Sequence, residues 1–297
     1  MATTQTISSE YKGALAGDIF IQAFKKADTI SKRCITVLPN VIGSAMLPKL
    51  SYSADFTASA CGFDPTGTVG YTEKEVATKK FKVQHELCKE EFHQTFAAQA
   101  LNLFGADNDI PQTIQEAILS AMISNLGAKL DSQMWNGDNS TDQMAGLLPQ
   151  FVADATVVDV VGTTVTKANV VAELDKVYNA IPAEVEDDED LVIVVSKNVA
   201  KAYKQAQADM GNNTTVGNKE LDYIGVRIES IGGLPTNTMV AYRVKNLGFA
   251  TNLEADLNEV RVSDDTERQD GNIRTTMKFS AGAGYSFGSE VVYYKPA

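Results

Sequence analysis

The spacing of apolar positions changes along the chain, and each change predicts a different kind of structure. Residues 1–33 combine a polar start with one short apolar face, which predicts an N-terminal arm that packs onto another surface. Over residues 34–88 the helical period is absent, and β-branched and aromatic residues alternate with Pro, Gly and Ser. This alternation indicates a long β-hairpin. Its return strand is marked by Val76, Phe81, Val83 and Leu87.

The tip of this hairpin, residues 54–70, is poor in apolar side chains. It reads ADFTASACGFDPTGTVG and contains two Phe and one Val. Ordering the backbone costs roughly 1–2 kcal/mol per residue, and an isolated two-stranded ribbon is marginal in water. We therefore expect the tip to gain its order from contacts with other molecules.

The clearest helical pattern covers residues 110–135, which we call the spine helix. Pro111 lies in its first turn, where the missing N–H costs nothing. Two apolar stripes indicate that both sides meet protein: Ile114, Ile118 and Ala121 on one, and Ile123, Leu126 and Leu130 on the other. At about 1.5 Å per residue the helix is roughly 39 Å long, enough to organise a whole lobe.

A shorter helix is predicted from Lys89 to Leu103.

The spine helix runs into Trp135, the only tryptophan of the chain. The pattern then breaks at Asn136-Gly137-Asp138 and resumes at Gly146. Asn and Gly tolerate the left-handed conformation that ends helices. We predict that Trp135 is a packing residue at the foot of the helix, with Gly137 and Asp138 in the turn that follows.

Beyond residue 147 short helical and strand patterns alternate. Apolar residues at helical spacing occupy 170–181 and 199–206, and the continuous apolar run Leu191 to Val195 between them predicts a buried strand. Further strands are predicted at 225–228, 238–242, 247–251, 272–279 and 290–294. The sequence thus predicts an α+β chain without an internal repeat.

Composition and charge narrow the class of protein. The chain has 297 residues, 44% hydrophobic and 22% charged, which is ordinary for a folded globular protein. A net charge of −12 argues against tight nucleic-acid binding, which needs clustered cations. Three cysteines, Cys34, Cys61 and Cys88, fit a reducing compartment better than a disulfide scaffold. No apolar stretch reaches the roughly 18 residues of a membrane span.

One motif resembles a catalytic one. Gly284-Tyr-Ser286-Phe-Gly288 matches the G-x-S-x-G nucleophile elbow. That elbow requires a histidine later in the chain, whereas His85 and His93, the only histidines, both precede it. We interpret the glycines as easing a strand past a neighbouring backbone, and we predict no catalytic residue.

Two groups of residues could hold a metal ion. His85, Cys88 and His93 are potential ligands, but their spacing matches no standard zinc pattern. The acidic run at 184–190 lacks the alternating ligands and central glycine of an EF-hand loop. We interpret the first as a strand-to-helix junction with surface histidines and the second as a solvated loop, and we expect no metal and no cofactor.

The order of these parts resembles that of the major capsid proteins of tailed bacteriophages, which have the Hong Kong 97 type of fold. In that family the spine helix commonly ends in an aromatic or aliphatic residue, followed by a G-D-G-T-like turn and G-I-L. Here the turn reads NGDNSTDQMAGLL. Asn139 stands in place of the second glycine and also tolerates positive φ. Leu191 to Val195 is similar to the central strand of the family's axial domain, and the resemblance covers nearly the whole chain in order.

The resemblance implies a division into four parts. The N-terminal arm is 1–33, and the extended loop is the β-hairpin of 34–88. The peripheral domain combines 89–146, which contains the spine helix, with 265–297. The axial domain is 147–264.

The resemblance also implies a function and partners. Members of the family form hexamers and pentamers that close into an icosahedral shell around double-stranded DNA, without sequence-specific binding. The chain is then a virion protein, assembled in the bacterial host cytoplasm with a portal protein and decoration proteins. Because residues 1–33 leave no room for a scaffolding segment, we expect a separate scaffolding protein. Intersubunit contacts are expected from the tip of the extended loop, at Phe56, Cys61, Phe63, Asp64 and Pro65.

Two alternatives stay open. Encapsulins, bacterial nanocompartments that enclose enzyme cargo, share this fold. A two-lobed enzyme with unrecognised chemistry is the alternative from a different class.

Overall fold

In a computed structural model the chain is α+β, as the sequence predicts. The structure describes residues 8–12, 27–54, 56, 58, 61–62, 66–88, 112–209, 221–252, 259–264 and 272–296. The strands of this part are β1 (Ser8–Lys12), β2 (Thr36–Leu38), β3 (Ser44–Ala54), β4 (Gly67–Ala77), β5 (Lys79–Cys88), β6 (Val158–Gly162), β7 (Leu191–Ser196), β8 (Leu221–Tyr223), β9 (Val226–Ile231), β10 (Met239–Arg243), β11 (Leu247–Thr251), β12 (Glu259–Asp264), β13 (Asn272–Tyr285) and β14 (Val292–Pro296). The α-helices are α1 (Asp28–Ser31), α2 (Gln112–Asn136), α3 (Leu147–Ala153), α4 (Val170–Asn179) and α5 (Lys197–Asp209).

Six strands form an α/β sheet in the order β6-β14-β10-β7-β9-β8. All six residues of β7 are buried. Val192 and Val194 face a core cluster that contains Trp135, whereas Ile193 and Val195 face a second cluster with apolar residues of α4 and α5. A strand covered on both faces needs a continuous apolar run, which explains why this strand was recognisable in the sequence.

A second six-stranded sheet is organised by the long strand β13, and we call it the β13 sheet. β13 pairs antiparallel with β5, β12 and β11. β2 adds to β11 in parallel, and β1 of the N-terminal arm adds to β12. The arm therefore contributes a strand to a sheet of its own chain.

The hairpin is a separate two-stranded sheet, which we call the ribbon. β3 and β4 pair antiparallel from Ser44↔Ala77 at the root to Ala54↔Gly67 at the tip. The predicted return strand is divided at Thr78, whose N–H and hydroxyl both donate to the Gly43 carbonyl at 2.8 Å. Beyond Thr78, β5 joins the β13 sheet, because Phe81 packs on Phe279 with ring centroids 5.5 Å apart.

The spine helix is α2, Gln112–Asn136, against the prediction of 110–135. Ile123 and Leu130 are buried and Leu126 is half-buried, so the predicted second stripe faces protein. The side chains of the predicted first stripe, and the predicted helix from Lys89 to Leu103, lie outside the described residues.

The division of strands between the two sheets does not follow the predicted domain boundaries. β11 and β12, from the predicted axial part 147–264, pair with β13. β14, from the predicted peripheral part 265–297, pairs with β10 and β6 in the α/β sheet. These pairs join strands that lie far apart in the sequence, and the spacing of apolar residues does not predict which strands pair. The division into four functional parts stays a prediction.

Candidate functional site: the foot of the spine helix and the root of the ribbon

Trp135 is fully buried at the foot of α2. Its ring centroid lies 6.3 Å from that of Tyr242, and its indole N–H donates to the Thr29 hydroxyl at 2.8 Å. The Tyr242 hydroxyl in turn donates to the Cys34 carbonyl at 2.9 Å. The aromatic pair therefore fastens the foot of the helix to the segment that leads into the ribbon.

Asp131, one helical turn before Trp135, is a buried carboxylate that joins three parts of the chain. It accepts hydrogen bonds from the Thr29 N–H at 3.0 Å, from the Thr29 hydroxyl, and from the Gly233 N–H at 2.9 Å. Burial raises the pKa of the Asp131 carboxyl, and the Thr29 and Gly233 hydrogen bonds oppose that rise. A Cβ on Gly233 would lie 2.4 Å from the Asp131 carbonyl oxygen, so this approach requires glycine.

The turn after α2 is closed by two glycines packed against each other. The Gly137 N–H donates to the Gln133 carbonyl at 2.9 Å, and the Gly146 N–H donates to the Gly137 carbonyl at 2.8 Å. A Cβ on Gly137 would lie 2.2 Å from the Met144 carbonyl oxygen. Asn139 has a φ of +62°, the positive φ that asparagine was expected to tolerate in place of glycine. The helix ends abruptly because its exit is this compact loop, which returns the chain directly into α3.

Two polar contacts hold the outside of that loop. The Asp138 carboxylate accepts the Ser140 N–H at 2.9 Å, and the Ser140 hydrogen bond lowers the pKa of this carboxyl. The Lys79 ammonium, at the start of β5, donates to the carbonyls of Asn139, Ser140 and Gln143 at 2.7, 2.8 and 3.1 Å. Three donors and three acceptors match fully, so the loop is tied to the root of the ribbon.

The inner face of the ribbon root packs on the body of the protein. Val76 is buried, and a Cβ on Gly284 would lie 2.6 Å from the Val76 Cγ2 atom. A Cβ on Gly282 would lie 2.3 Å from the Ala77 carbonyl oxygen. The glycines of β13 therefore let β4 approach its backbone closely, which is the packing role expected for glycines in a strand.

Lys74 forms a second ionic attachment of the ribbon. Its ammonium lies 3.1 Å from the Asp154 carboxylate and 3.3 Å from the centroid of the Tyr285 ring. The Tyr285 hydroxyl donates to the same carboxylate at 2.7 Å. The Tyr285 hydrogen bond is the main reason why the pKa of Asp154 is well below its ordinary value, and partial burial lowers the pKa of Lys74.

The outer face of the ribbon is apolar and exposed. Residues directly opposite in an antiparallel pair point to the same side. Leu50 therefore shares a face with Tyr71, and Tyr52 with Val69. These four side chains are 62–70% exposed. Seven of the ten large apolar side chains exposed in the described residues lie between positions 42 and 71, and such a concentration is typical of surfaces that other molecules cover.

The predicted contact residues at the tip are described in part. Phe56 is fully exposed, and Cys61 is an exposed free thiol. Phe63, Asp64 and Pro65 lie outside the described residues. The role of all five in contacts between subunits stays a prediction.

The residues considered for catalysis or metal binding have other surroundings. The Ser286 N–H donates to the Asn246 side-chain oxygen at 3.1 Å, and a Cβ on Gly288 would lie 2.1 Å from the Thr156 hydroxyl oxygen. His85 is exposed on β5, and His93 lies outside the described residues. In the acidic run, Asp188 pairs with Arg243 at 3.1 Å. Within the ranges that the structure describes, His, Cys, Asp and Glu form no cluster suited to a metal ion.

Sequence reasoning missed the residues that connect the parts. Asp131 and Thr29 had no motif, and neither did Lys74 and Lys79, which look like ordinary surface lysines in a strand. One signal was present: Asp131 lies four residues before Trp135, on the helical side that the apolar pattern places in the core. A charge there needs a buried partner.

Among the comparisons with known proteins, the one with solved structures identifies the fold. No family profile and no curated protein match the sequence. The solved structures that are similar over almost the full length include the following three. The satellite phage P4 procapsid including the size determination protein has a TM-score of 0.56 at 14% identity, covering 94% of this chain and 98% of that chain. The capsid of an empty GTA particle gives 0.61 at 11%, covering 92% and 90%. The capsid of the cyanophage P-SCSP1u gives 0.58 at 11%, covering 100% and 92%.

This chain therefore has the fold of phage capsid proteins, as the resemblance of its sequence predicted. The three similar structures are described as capsids or procapsids, not as enzymes. In the part of the chain that the structure describes, no helix is both long and apolar enough to cross a membrane.

Proposed function

We propose that this protein is the major capsid protein of a tailed double-stranded DNA bacteriophage. Copies of the chain assemble as hexamers and pentamers into an icosahedral shell around the genome. The observation that carries the proposal is the capsid fold over almost the whole chain, together with an exposed apolar ribbon face that a monomer leaves in water.

The exposed ribbon supports assembly through the neighbouring copy. Leu50, Tyr52, Val69 and Tyr71 lie on a ribbon whose paired part extends for eleven residue pairs. A soluble monomer gains nothing from exposing these side chains, whereas a closed lattice covers them at every position. The proposal also assigns contacts between copies to the tip residues that the sequence indicated, Phe56, Cys61, Phe63, Asp64 and Pro65.

The proposal includes the other components of a virion. It comprises a separate scaffolding protein, a portal protein and decoration proteins, with assembly in the host cytoplasm. The net charge of −12 suits a wall that encloses DNA without binding its sequence.

Electron microscopy of the purified protein tests the proposal. Closed shells are expected for the wild type, alone or with its scaffolding protein, and packaged DNA in particles from infected cells. Shells filled with an enzyme instead would identify a nanocompartment. A folded protein that stays monomeric with its scaffolding protein would contradict both shell functions.

Substitution of exposed apolar residues on the ribbon tests whether this face is needed for assembly. The double variant Leu50→Ser, Tyr52→Ser is expected to remain folded, because both side chains are exposed, and to lose shells. The matched control is Val161→Ser with Ile224→Ser, which removes two exposed apolar side chains away from the ribbon.

A further inference from the structure

We infer that Lys74 and Lys79 are positioning residues that together fix the direction in which the ribbon leaves the body. The inference rests on the proposed function for its consequence in a shell, but it concerns the single subunit. It starts from the observation that the ribbon is a sheet of its own, whose strands hydrogen bond with each other while β5 belongs to the β13 sheet.

The two lysines act at different places on the ribbon root. Lys79 follows Thr78, where the chain leaves the ribbon, and its ammonium is held by three carbonyls of the loop after α2. Lys74 lies further out on β4 and contacts Asp154, which follows α3, and the Tyr285 ring on β13. Two attachments to separate parts of the body resist rotation, whereas one attachment is a pivot.

The ribbon also packs on the rest of the protein near its root. Val76 is the buried residue of β4, and it lies against Gly284. Beyond Lys74, the strand runs from Glu73 to Gly67, and its side chains are exposed or half-buried. On β3, Leu47 lies beside Gly248, and the Lys49 ammonium lies 5.2 Å from the centroid of the Phe287 ring. Apolar and cation–π contacts restrain direction weakly, so Lys74 and Lys79 supply the directional contacts, an ion pair with Asp154 and hydrogen bonds to three carbonyls.

A small change at the root is amplified at the tip. About seven residues at about 3.4 Å each separate Lys74 from Gly67, which gives a lever of about 24 Å. A rotation of about 10° at the root therefore displaces that end by about 4 Å, which is larger than the tolerance of a hydrogen bond. In a shell, the position of the ribbon end determines where the neighbouring copy is met, and so the angle between copies.

Spin-label distances in the unassembled subunit test the inference directly. One label is placed on the ribbon by Thr68→Cys and the other on α5 by Lys201→Cys, both at exposed positions, in a Cys61→Ser, Cys88→Ser background. Cys34 stays in place, because burial raises the pKa of its thiol to about 12 and so suppresses labelling. The wild-type lysines are expected to give one narrow distance distribution.

Lys74→Met and Lys79→Met are each expected to broaden or shift that distribution, by an amount comparable with the lever estimate of about 4 Å. Asp154→Asn should act like Lys74→Met, and Lys74→Arg should restore the narrow distribution. Lys80→Met, an exposed neighbour on β5, is the matched control and should change nothing.

The outcomes separate this inference from the proposed function. Broadening in folded Lys74→Met and Lys79→Met subunits supports it, and shells of these variants should then vary in diameter. Distributions identical to the wild type, with melting temperatures unchanged, would overturn it even if the wild type forms normal shells. If a methionine variant does not fold, Asp154→Asn and Lys79→Gln decide by the same measurement.

Discussion

The Trp135 indole N–H and the Thr29 hydroxyl lie 2.8 Å apart and join residues 106 positions apart in the sequence. The same hydroxyl donates its own proton to Asp131. One small side chain therefore links an aromatic residue and a carboxylate, which are both buried at the foot of the spine helix. Loss of this hydroxyl would leave the buried indole N–H without its partner and would remove one of the three hydrogen bonds that Asp131 accepts.

Thr29→Val is expected to lower the free energy of unfolding by about 1–3 kcal/mol, because valine keeps the shape but removes both hydrogen bonds. Chemical denaturation of the subunit measures the change. Thr141→Val, in the exposed part of the loop after α2, is the matched control and should stay within about 0.5 kcal/mol of the wild type.

A double-mutant cycle with Trp135→Phe identifies the hydrogen bond itself. If the indole N–H and the hydroxyl interact, the effects of Thr29→Val and Trp135→Phe will not add. Additive effects would mean that Trp135 is held by packing alone.

The sequence predicted the elements well where one physical demand governed a segment. The run Leu191 to Val195 is buried on both faces and was found from its unbroken apolar character. The end of the spine helix was found from Trp135 and the turn residues. Thr29 was missed because its partners, Asp131 and Trp135, lie about a hundred positions away in the sequence. The spacing of apolar residues predicts local structure and does not indicate such distant contacts. Lys74 and Lys79 were missed because lysine is common on exposed strands. Their partners are three backbone carbonyls for Lys79, and one carboxylate and one aromatic ring for Lys74, and no sequence motif marks them.

Gly137→Ala is expected to prevent normal closure of the loop after the spine helix. Its new Cβ would meet the Met144 carbonyl oxygen at 2.2 Å, a backbone atom that cannot move without opening the loop. The cost should exceed the roughly 1 kcal/mol typical of a point substitution, and it should appear as a lower melting temperature or as insoluble protein. Gly248→Ala is the matched control. Its Cβ would approach flexible leucine methyl groups at 3.3–3.4 Å, so an equal loss in both variants would argue against a loop-specific clash.

Asp154 is expected to stabilise the subunit at neutral pH and to lose this contribution in acid. Its pKa in the folded protein lies below the ordinary value of 3.8, chiefly because of the Tyr285 hydroxyl, with Thr156 and Lys74 adding to the effect. A lowered folded-state pKa contributes stability that is present above the unfolded-state pKa and is lost as the pH falls through the folded-state value. The stability difference between wild type and Asp154→Asn should therefore be largest near neutral pH and shrink below about pH 4.

Denaturation midpoints of the two proteins between pH 7 and the acid range, in steps, measure this difference. Asp159→Asn is a suitable control because that carboxylate is exposed and lies at the 4.0 Å limit of an ion pair with Lys295. A constant difference between wild type and Asp154→Asn at every pH would show that Asp154 acts through shape rather than through its charge.

Shortening the ribbon tip is expected to abolish shells while the subunit stays folded. Ala54 pairs directly with Gly67, so residues 55–66 can be replaced by Asn-Gly, a two-residue turn that closes antiparallel hairpins with the correct twist. The replacement keeps the register of all eleven pairs and leaves the Lys74 and Lys79 contacts in place. It removes Phe56, which is fully exposed and so contributes nothing to the fold of its own subunit. Circular dichroism and the melting temperature should therefore match the wild type, whereas sizing chromatography and electron microscopy should show unassembled subunits. A variant that keeps the native length but carries Phe56→Ser and Phe63→Ser tests whether the aromatic side chains are the essential part. Normal particles from the shortened chain would show that assembly does not depend on the tip, and the ribbon's exposed face at Leu50 and Tyr52 would then have to carry the contact between copies.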